Sequence, residues 1–209
     1  ISLDTLIPEK FKIITRRDGL DMVLNSLNKA MQSSIQSIKL NVVAMRDFND
    51  DELMDFVGLT KEHDITVRFI ELMPFDSHQI WKTGKFYGAD HILADIKNQV
   101  GELKPIDGSR TEHHIFRVDD YKGRVAVIPA YSRSLCGACN RIRITADGKL
   151  LNCLYSQDEM NLRDAIRNGA SDKNIQSMIQ GSFLNKYKDG WAAQQSNGTH
   201  RESMTQIGG

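Results

Sequence analysis

Apolar positions along the first third of the chain change period in a regular way. Leu20, Leu24, Leu27 and Met31 recur at helical spacing, and the apolar-rich stretch Ile38 to Val43 then reads as a buried strand. At Asn49-Asp50-Asp51-Glu52 the residues suit a helix start, with Asn49 as cap and Glu52 reaching back to its amide. Leu53, Phe56, Val57 and Thr60 continue that helix with one face inward, and Ile65 to Ile70 reads as a second strand. Strand, helix and strand joined by connections of this length predict βαβ units and a parallel sheet.

The pattern changes after Pro74. A helix is predicted from near Asp90 to Val100, followed by two short alternating stretches, His114 to Val118 and Arg124 to Pro129. The segment Asp119 to Gly123 joins them as a hairpin. Two helical patterns come last, one on Leu162, Ala165 and Ile166, the other on Ile175, Met178, Ile179 and Phe183. The small polar residues from Gln194 to Thr199 predict a mobile segment. No internal repeat or low-complexity tract interrupts the chain.

Composition narrows the function classes. The 209 residues carry 27 Lys+Arg and 27 Asp+Glu, so no global field draws the molecule to nucleic acid or to an anionic membrane. An anionic ligand must then be held by a local cluster of Arg and Lys. There is no membrane-length apolar run and no signal-peptide pattern, which makes the expected location cytoplasmic. The opening Ile1-Ser2-Leu3-Asp4 has no initiator Met and is read as the start of a fragment.

The strongest local chemistry is Cys136-Gly137-Ala138-Cys139, followed after 13 intervening residues by Cys153. Three cysteines without a secretory signal point to a metal or redox site rather than a disulfide framework. A CxxC turn brings two thiolates to one metal, and a hairpin turn at Asp147-Gly148 would fold the third sulfur back onto them. Spacing alone fits either zinc, completed by His113, His114 or His200, or an iron–sulfur cluster, since the ligand rules overlap. Beside the cysteines stands Arg141-Ile142-Arg143-Ile144. In an extended strand Arg141 and Arg143 share a face, with the isoleucines pointing into the core. Two guanidiniums so placed suit a triphosphate or carboxylate, although a solvated strand face carries the same pattern. Lys39 lies within an apolar strand, where a lysine needs a partner or a cavity. Arg68 can serve a ligand or pair with Glu71.

The run from Cys136 through Cys139-Asn140-Arg141-Ile142-Arg143-Ile144-Thr145-Ala146-Asp147-Gly148-Lys149-Leu150 to Cys153 resembles the C-terminal cluster motif of the GTP 3′,8-cyclase family. The terminal Ile207-Gly208-Gly209 is similar to that family's double-glycine end. Ser2 to Leu6, Ile38 to Asn41, the Asn49 to Glu52 turn, Arg68 to Glu71 and Met73-Pro74 match in the same order.

The resemblance implies an α/β fold: a partial (β/α)6 radical-SAM barrel over residues 1–74, then a C-terminal cluster- and GTP-binding segment over 75–209. It implies an enzyme of molybdenum cofactor biosynthesis that converts GTP to (8S)-3′,8-cyclo-7,8-dihydroguanosine 5′-triphosphate by S-adenosylmethionine-derived radical chemistry. Cys136, Cys139 and Cys153 would hold a [4Fe-4S] cluster that binds the purine. Arg141, Arg143, Arg68 and Lys39 would contact GTP, Ser2 would lie on the S-adenosylmethionine side, and Gly208-Gly209 would reach into the active site. A homodimer acting upstream of cyclic pyranopterin monophosphate synthase is further implied, with no nucleic-acid or membrane partner. No CxxxCxxC motif, the family's radical-generating cluster site, occurs in these residues. The chain by itself is therefore expected to be inactive and to expose an unpaired strand edge. A different radical-SAM enzyme with an auxiliary cluster and a zinc-stabilised binding module are the alternatives.

Overall fold

A computed structural model describes residues 1–75, 81–106 and 113–196. The chain forms two compact units, one of residues 1–73 and 80–132, the other of residues 74–79 and 133–209. The fold is mixed α/β.

In the first unit the elements run α1 (Pro8–Thr15), α2 (Leu20–Met31), β1 (Ile38–Ala44), α3 (Leu53–Glu62), β2 (Ile65–Glu71), α4 (Ala89–Val100), β3 (Leu103–Pro105), β4 (His114–Val118) and β5 (Arg124–Ile128). The sheet order is β1-β2-β5-β4-β3. The pairs β1–β2 and β2–β5 are parallel, while β4–β5 and β3–β4 are antiparallel. The expected βαβ unit and hairpin are both present, and the hairpin's second strand extends the parallel part of the sheet. Residues 1–3 pair with the outer edge of β1, through Leu3 N–H to Asn41 O at 2.9 Å and Asn41 N–H to Ile1 O at 2.8 Å.

One face of this sheet makes the core. Leu40, Val42 and Ala44 of β1, Val67 and Phe69 of β2, and Val125 and Val127 of β5 are all buried. They join Leu20 and Leu27 of α2, Phe56 and Val57 of α3, and Ile92 and Ile96 of α4 in one apolar cluster. The period of two in the strands and of three to four in the helices therefore presents complementary faces, and their burial drives the packing. Phe56 meets Phe69 edge-on, ring centroids 6.3 Å apart.

The capping reading of Asn49 and Glu52 is corrected. Asn49 makes no side-chain cap bond. Its Oδ1 accepts from the Met45 amide at 2.8 Å, and its Nδ2 donates to the Asp4 and Val43 carbonyls. Glu52 is 1% exposed and accepts from Thr5 Oγ1, the Leu6 amide and Lys10 Nζ. The chain start brings Thr5 and Leu6 against the loop, and buried donors there outcompete a local cap because they have no water to turn to.

The second unit contains β6 (Arg143–Ile144), β7 (Lys149–Leu151), β8 (Glu159–Asn161), α5 (Leu162–Arg167), α6 (Asp172–Leu184) and α7 (Gly190–Gln195). The strands form an antiparallel sheet in that order. The turn expected at Asp147-Gly148 closes β6 onto β7, with Thr145 N–H on Lys149 O at 2.8 Å and Gly148 at φ +80°. Asn161, Ser171 and Asp189 cap α5, α6 and α7 with their side chains. Gln194 and Gln195 belong to α7 rather than to a mobile segment, while residues 197–199 lie outside the described residues. No described helix is long and apolar enough to cross a membrane.

Candidate functional site

The cysteine segment is built from turns. Cys136 to Ala138 form a single 3-10 turn in which Cys139 N–H donates to Cys136 O at 3.0 Å. Cys136 N–H in turn donates to Arg133 O at 3.0 Å. Cys153 follows β7 by two residues, and Ser156 N–H closes on its carbonyl at 3.2 Å. All three thiols are free and half-buried.

Their environments differ. Burial pushes the Cys136 thiol up; the Gly190 amide opposes this, while the sulfurs of Cys153 and Cys139 add to it and Arg133 opposes it. At Cys139 burial also disfavours ionisation, but the Arg141 amide, the Arg141 guanidinium and Lys186 together hold the thiol below its ordinary value. Lys186 Nζ donates to the Arg141 carbonyl at 2.9 Å and to the Asn152 carbonyl, so one ammonium ties the CxxC limb to the Cys153 limb. Among the described residues no group of three or more His, Cys, Asp or Glu side chains is arranged to hold a metal ion as it stands. The sulfurs of Cys139 and Cys153 nevertheless act on that of Cys136, and backbone amides favour the ionised forms of Cys136 and Cys139, which is the donor chemistry a thiolate-bound cluster uses. The described residues of this unit contain no histidine, so a Cys3His zinc set has no fourth ligand among them.

Arg141 and Arg143 are both half-buried, Arg143 within β6 opposite Leu151 and Arg141 preceding the strand. Arg141 Nε is buried with no hydrogen-bonding partner among the described residues, a donor left over for an anion. Ile142 is half-buried, but the inward placing of Ile144 is corrected. Ile144 is 65% exposed, because β6 is a two-residue edge strand; the inward position is taken by Thr145, whose hydroxyl and amide bind within the turn.

In the first unit the sheet face opposite the core carries Lys39, Asn41 and Arg68. Asn41 is the register partner of Arg68, and Lys39 stands two residues before it on β1. Arg68 Nε donates to Asn41 Oδ1 at 2.7 Å. Lys39 is exposed, so the expectation of a lysine forced to find a cavity is corrected: its side of the strand faces away from the core. Glu71, three residues along the strand from Arg68, points to the other face. There it is 1% exposed and accepts from the backbone amides of Ala89 (2.8 Å), Tyr131 (2.8 Å) and Ser132 (2.7 Å). Ser2 is exposed and bridges to Asn41. Gly208, Gly209 and His200 lie outside the described residues.

Three residues at the cysteine segment had no sequence signal. Lys186 ends a helix like any surface lysine, Gly190 looks like a loop glycine, and Arg133 sits in an unremarkable Ser-Arg-Ser. Only the tertiary placement gives them a role.

An α/β protein with a parallel-containing sheet, followed by a small unit carrying three free thiols flanked by guanidiniums, defines the class. The family model described as Molybdenum Cofactor Synthesis C matches residues 65–191, and the chain belongs to that family. The GTP 3',8-cyclase of Chlorobaculum tepidum is 43% identical over the whole of this chain, which covers 63% of that relative. That of Syntrophomonas wolfei is 37% identical over all of the chain and 64% of the relative. Molybdenum cofactor biosynthesis protein 1 of Homo sapiens is 39% identical over 86% of the chain and 28% of the relative. The chain thus spans a little under two thirds of the length of these cyclases.

Proposed function

We propose that this chain is the substrate-holding part of a GTP 3′,8-cyclase, an enzyme that converts GTP to (8S)-3′,8-cyclo-7,8-dihydroguanosine 5′-triphosphate in molybdenum cofactor biosynthesis. The observation that carries the proposal is the joining of the three-cysteine segment to Arg141, whose carbonyl Lys186 ties to that of Asn152 beside Cys153, while the Arg141 Nε remains without a partner among the described residues.

Cys136, Cys139 and Cys153 would hold a [4Fe-4S] cluster. Bound by three thiolates, such a cluster supplies an open iron able to take a purine donor atom. The chain's own residues then bind and orient. Arg141 and Arg143 offer paired N–H donors to the triphosphate, and Arg68, held by Asn41, adds a third guanidinium, with Lys39 as a point charge. Ser2 lies on the S-adenosylmethionine side. The Gly208-Gly209 tail approaches the reacting nucleotide, which its lack of side chains permits. Fixing C3′ of the ribose near C8 of the guanine is the service such binding performs, since cyclisation requires the two carbons to meet. Radical generation from S-adenosylmethionine is assigned to no residue of this chain, because no CxxxCxxC motif occurs in it.

The parallel pair β1–β2, with α3 packed against it, supports a partial (β/α)6 barrel over residues 1–74, and residues 75–209 would provide the cluster- and GTP-binding segment. The whole enzyme is a cytoplasmic homodimer whose product passes to cyclic pyranopterin monophosphate synthase.

The test is iron and acid-labile sulfide per chain after anaerobic reconstitution, with Cys136→Ala as control and GTP binding measured on Arg141→Ala and Arg143→Ala. About four iron and four sulfide, lost in the control, are expected. GTP affinity falls at least several-fold in each arginine variant. One zinc without sulfide, or unchanged GTP affinity in both variants, would overturn the proposal.

A further inference from the structure

Around Cys136 the second unit contains a feature that the cyclase reading does not use. Arg133 is 5% exposed. Its guanidinium carbon lies 3.5 Å from the centroid of the Tyr155 ring and 3.8 Å from that of the Trp191 ring. The same guanidinium donates from Nη2 to Gln194 Oε1. Its backbone is in the left-handed region, φ 60°, and its carbonyl receives the Cys136 amide.

These contacts tie three separate pieces of chain to one side chain. The first is the loop that enters the CxxC turn. The second is the segment leaving Cys153, because Tyr155 follows it by two residues and rests against Phe75 with centroids 5.2 Å apart. The third is α7, which carries Trp191 and Gln194. At the start of α7 the Gly190 amide favours the ionised form of the Cys136 sulfur. A Cβ on Gly190 would come within 2.9 Å of Arg133 Cδ and 3.1 Å of Tyr155 Cδ2, so the helix start is pressed against the stacked pair.

We propose that Arg133 is the positioning residue of the cysteine site: by stacking on Tyr155 and Trp191 it holds the start of α7 against Cys136 and fixes the Cys136 turn relative to the limb of Cys153. Its planar, delocalised cation is suited to lie on two rings at once, which a lysine ammonium is not. An N–H dipole beside a ligating sulfur acts as an outer-shell influence, and such influences orient the ligand and slow its loss. The consequence for cluster retention rests on the reading that Cys136 is a cluster ligand, whereas the clasp itself does not.

The experiment compares wild type with Arg133→Lys by two readouts. In cluster-free protein, amide exchange is followed by mass spectrometry in peptides covering 134–139 and 190–195, with β1 and β2 as internal reference. In reconstituted protein, the half-life of iron and sulfide is measured under a strong chelator. Arg133→Lys is expected to exchange about ten-fold faster in both peptides with the reference unchanged, because the clasp governs local opening. It loses its cluster about ten-fold sooner for the same reason. Unchanged exchange overturns the proposal, as does faster exchange with an unchanged cluster half-life, which would make Arg133 structural only. If wild type takes up no iron while the exchange effect is present, the cluster reading fails and the clasp stands. Should Arg133→Lys not fold, Trp191→Leu, which removes one stacked ring, decides the matter by the same two readouts.

Discussion

Arg68 and Asn41 face each other across the parallel pair β1–β2, and the arginine Nε donates to the asparagine Oδ1 at 2.7 Å. The bond uses the Nε donor and fixes the plane of the guanidinium. A ligand anion then meets a preorganised fork rather than a side chain free to choose among its rotamers.

From this relationship, Arg68→Ala should weaken GTP binding by about ten-fold or more, since a charge-assisted hydrogen bond is lost. Asn41→Ala keeps the charge and loses only the alignment, so about three-fold weakening is expected. Nucleotide titration of the reconstituted protein checks both, and an Asn41 variant as impaired as the Arg68 variant would contradict the positional role.

Glu52 is a buried carboxylate facing several donors: Thr5 Oγ1 at 2.8 and 2.9 Å from its two oxygens, the Leu6 amide at 2.6 Å and Lys10 Nζ at 3.0 Å. Glu52→Gln places an NH2 among those donors and should cost about 3 kcal/mol of stability. Urea unfolding measures this. A loss well under 1 kcal/mol would mean that the side chain is not the anchor of the chain's first residues.

Asp4 gives a pH signature. Burial raises its carboxyl above the ordinary 3.8, partly offset by the Val43 amide that its Oδ1 accepts at 2.8 Å. The folded protein therefore holds this proton more tightly than the unfolded chain. The burden on stability is full above the folded value and is relieved as pH falls through it toward 3.8. Asp4→Asn keeps the acceptor without the charge, so it should be more stable than wild type at neutral pH, with an advantage that shrinks on acidification. Thermal melts across that range decide; an advantage that grows toward acid refutes the assignment.

Gly123 sits where two backbone segments nearly touch. A Cβ there would lie 2.4 Å from Ile65 O, 2.6 Å from His63 O and 3.0 Å from Thr60 Cβ, while its amide donates to Thr60 O at 2.8 Å. Because the obstacles are mostly backbone, they cannot rotate away. Gly123→Ala is expected to destabilise by about 3 kcal/mol, at the upper end of overpacking costs. A melting temperature within a degree or two of wild type would show that the β4–β5 turn has more room than this geometry allows.

Elements whose signal is local were legible in the chain. The stripe Leu20, Leu24, Leu27, Met31 became α2, the run Ile38 to Val43 became β1 with one further residue, and Asp147-Gly148 made the β6–β7 turn. The cysteine spacing and its arginines marked a candidate site, because a CxxC turn and a strand's period of two are properties of a few consecutive residues. Asn49 and Glu52 misled because a capping box and a buried acceptor knot use the same residue types. What separates them is Thr5 and Leu6, more than 40 residues away in the chain. Ile144 misled for a related reason: alternation predicts which residues share a face, but only the neighbouring strands decide which face is covered. The amide clasp of Glu71, the Lys186 bridge and the stack of Arg133 on Tyr155 and Trp191 were likewise decided by tertiary structure alone, since long-range hydrogen bonds and ring contacts leave no periodic trace in the sequence.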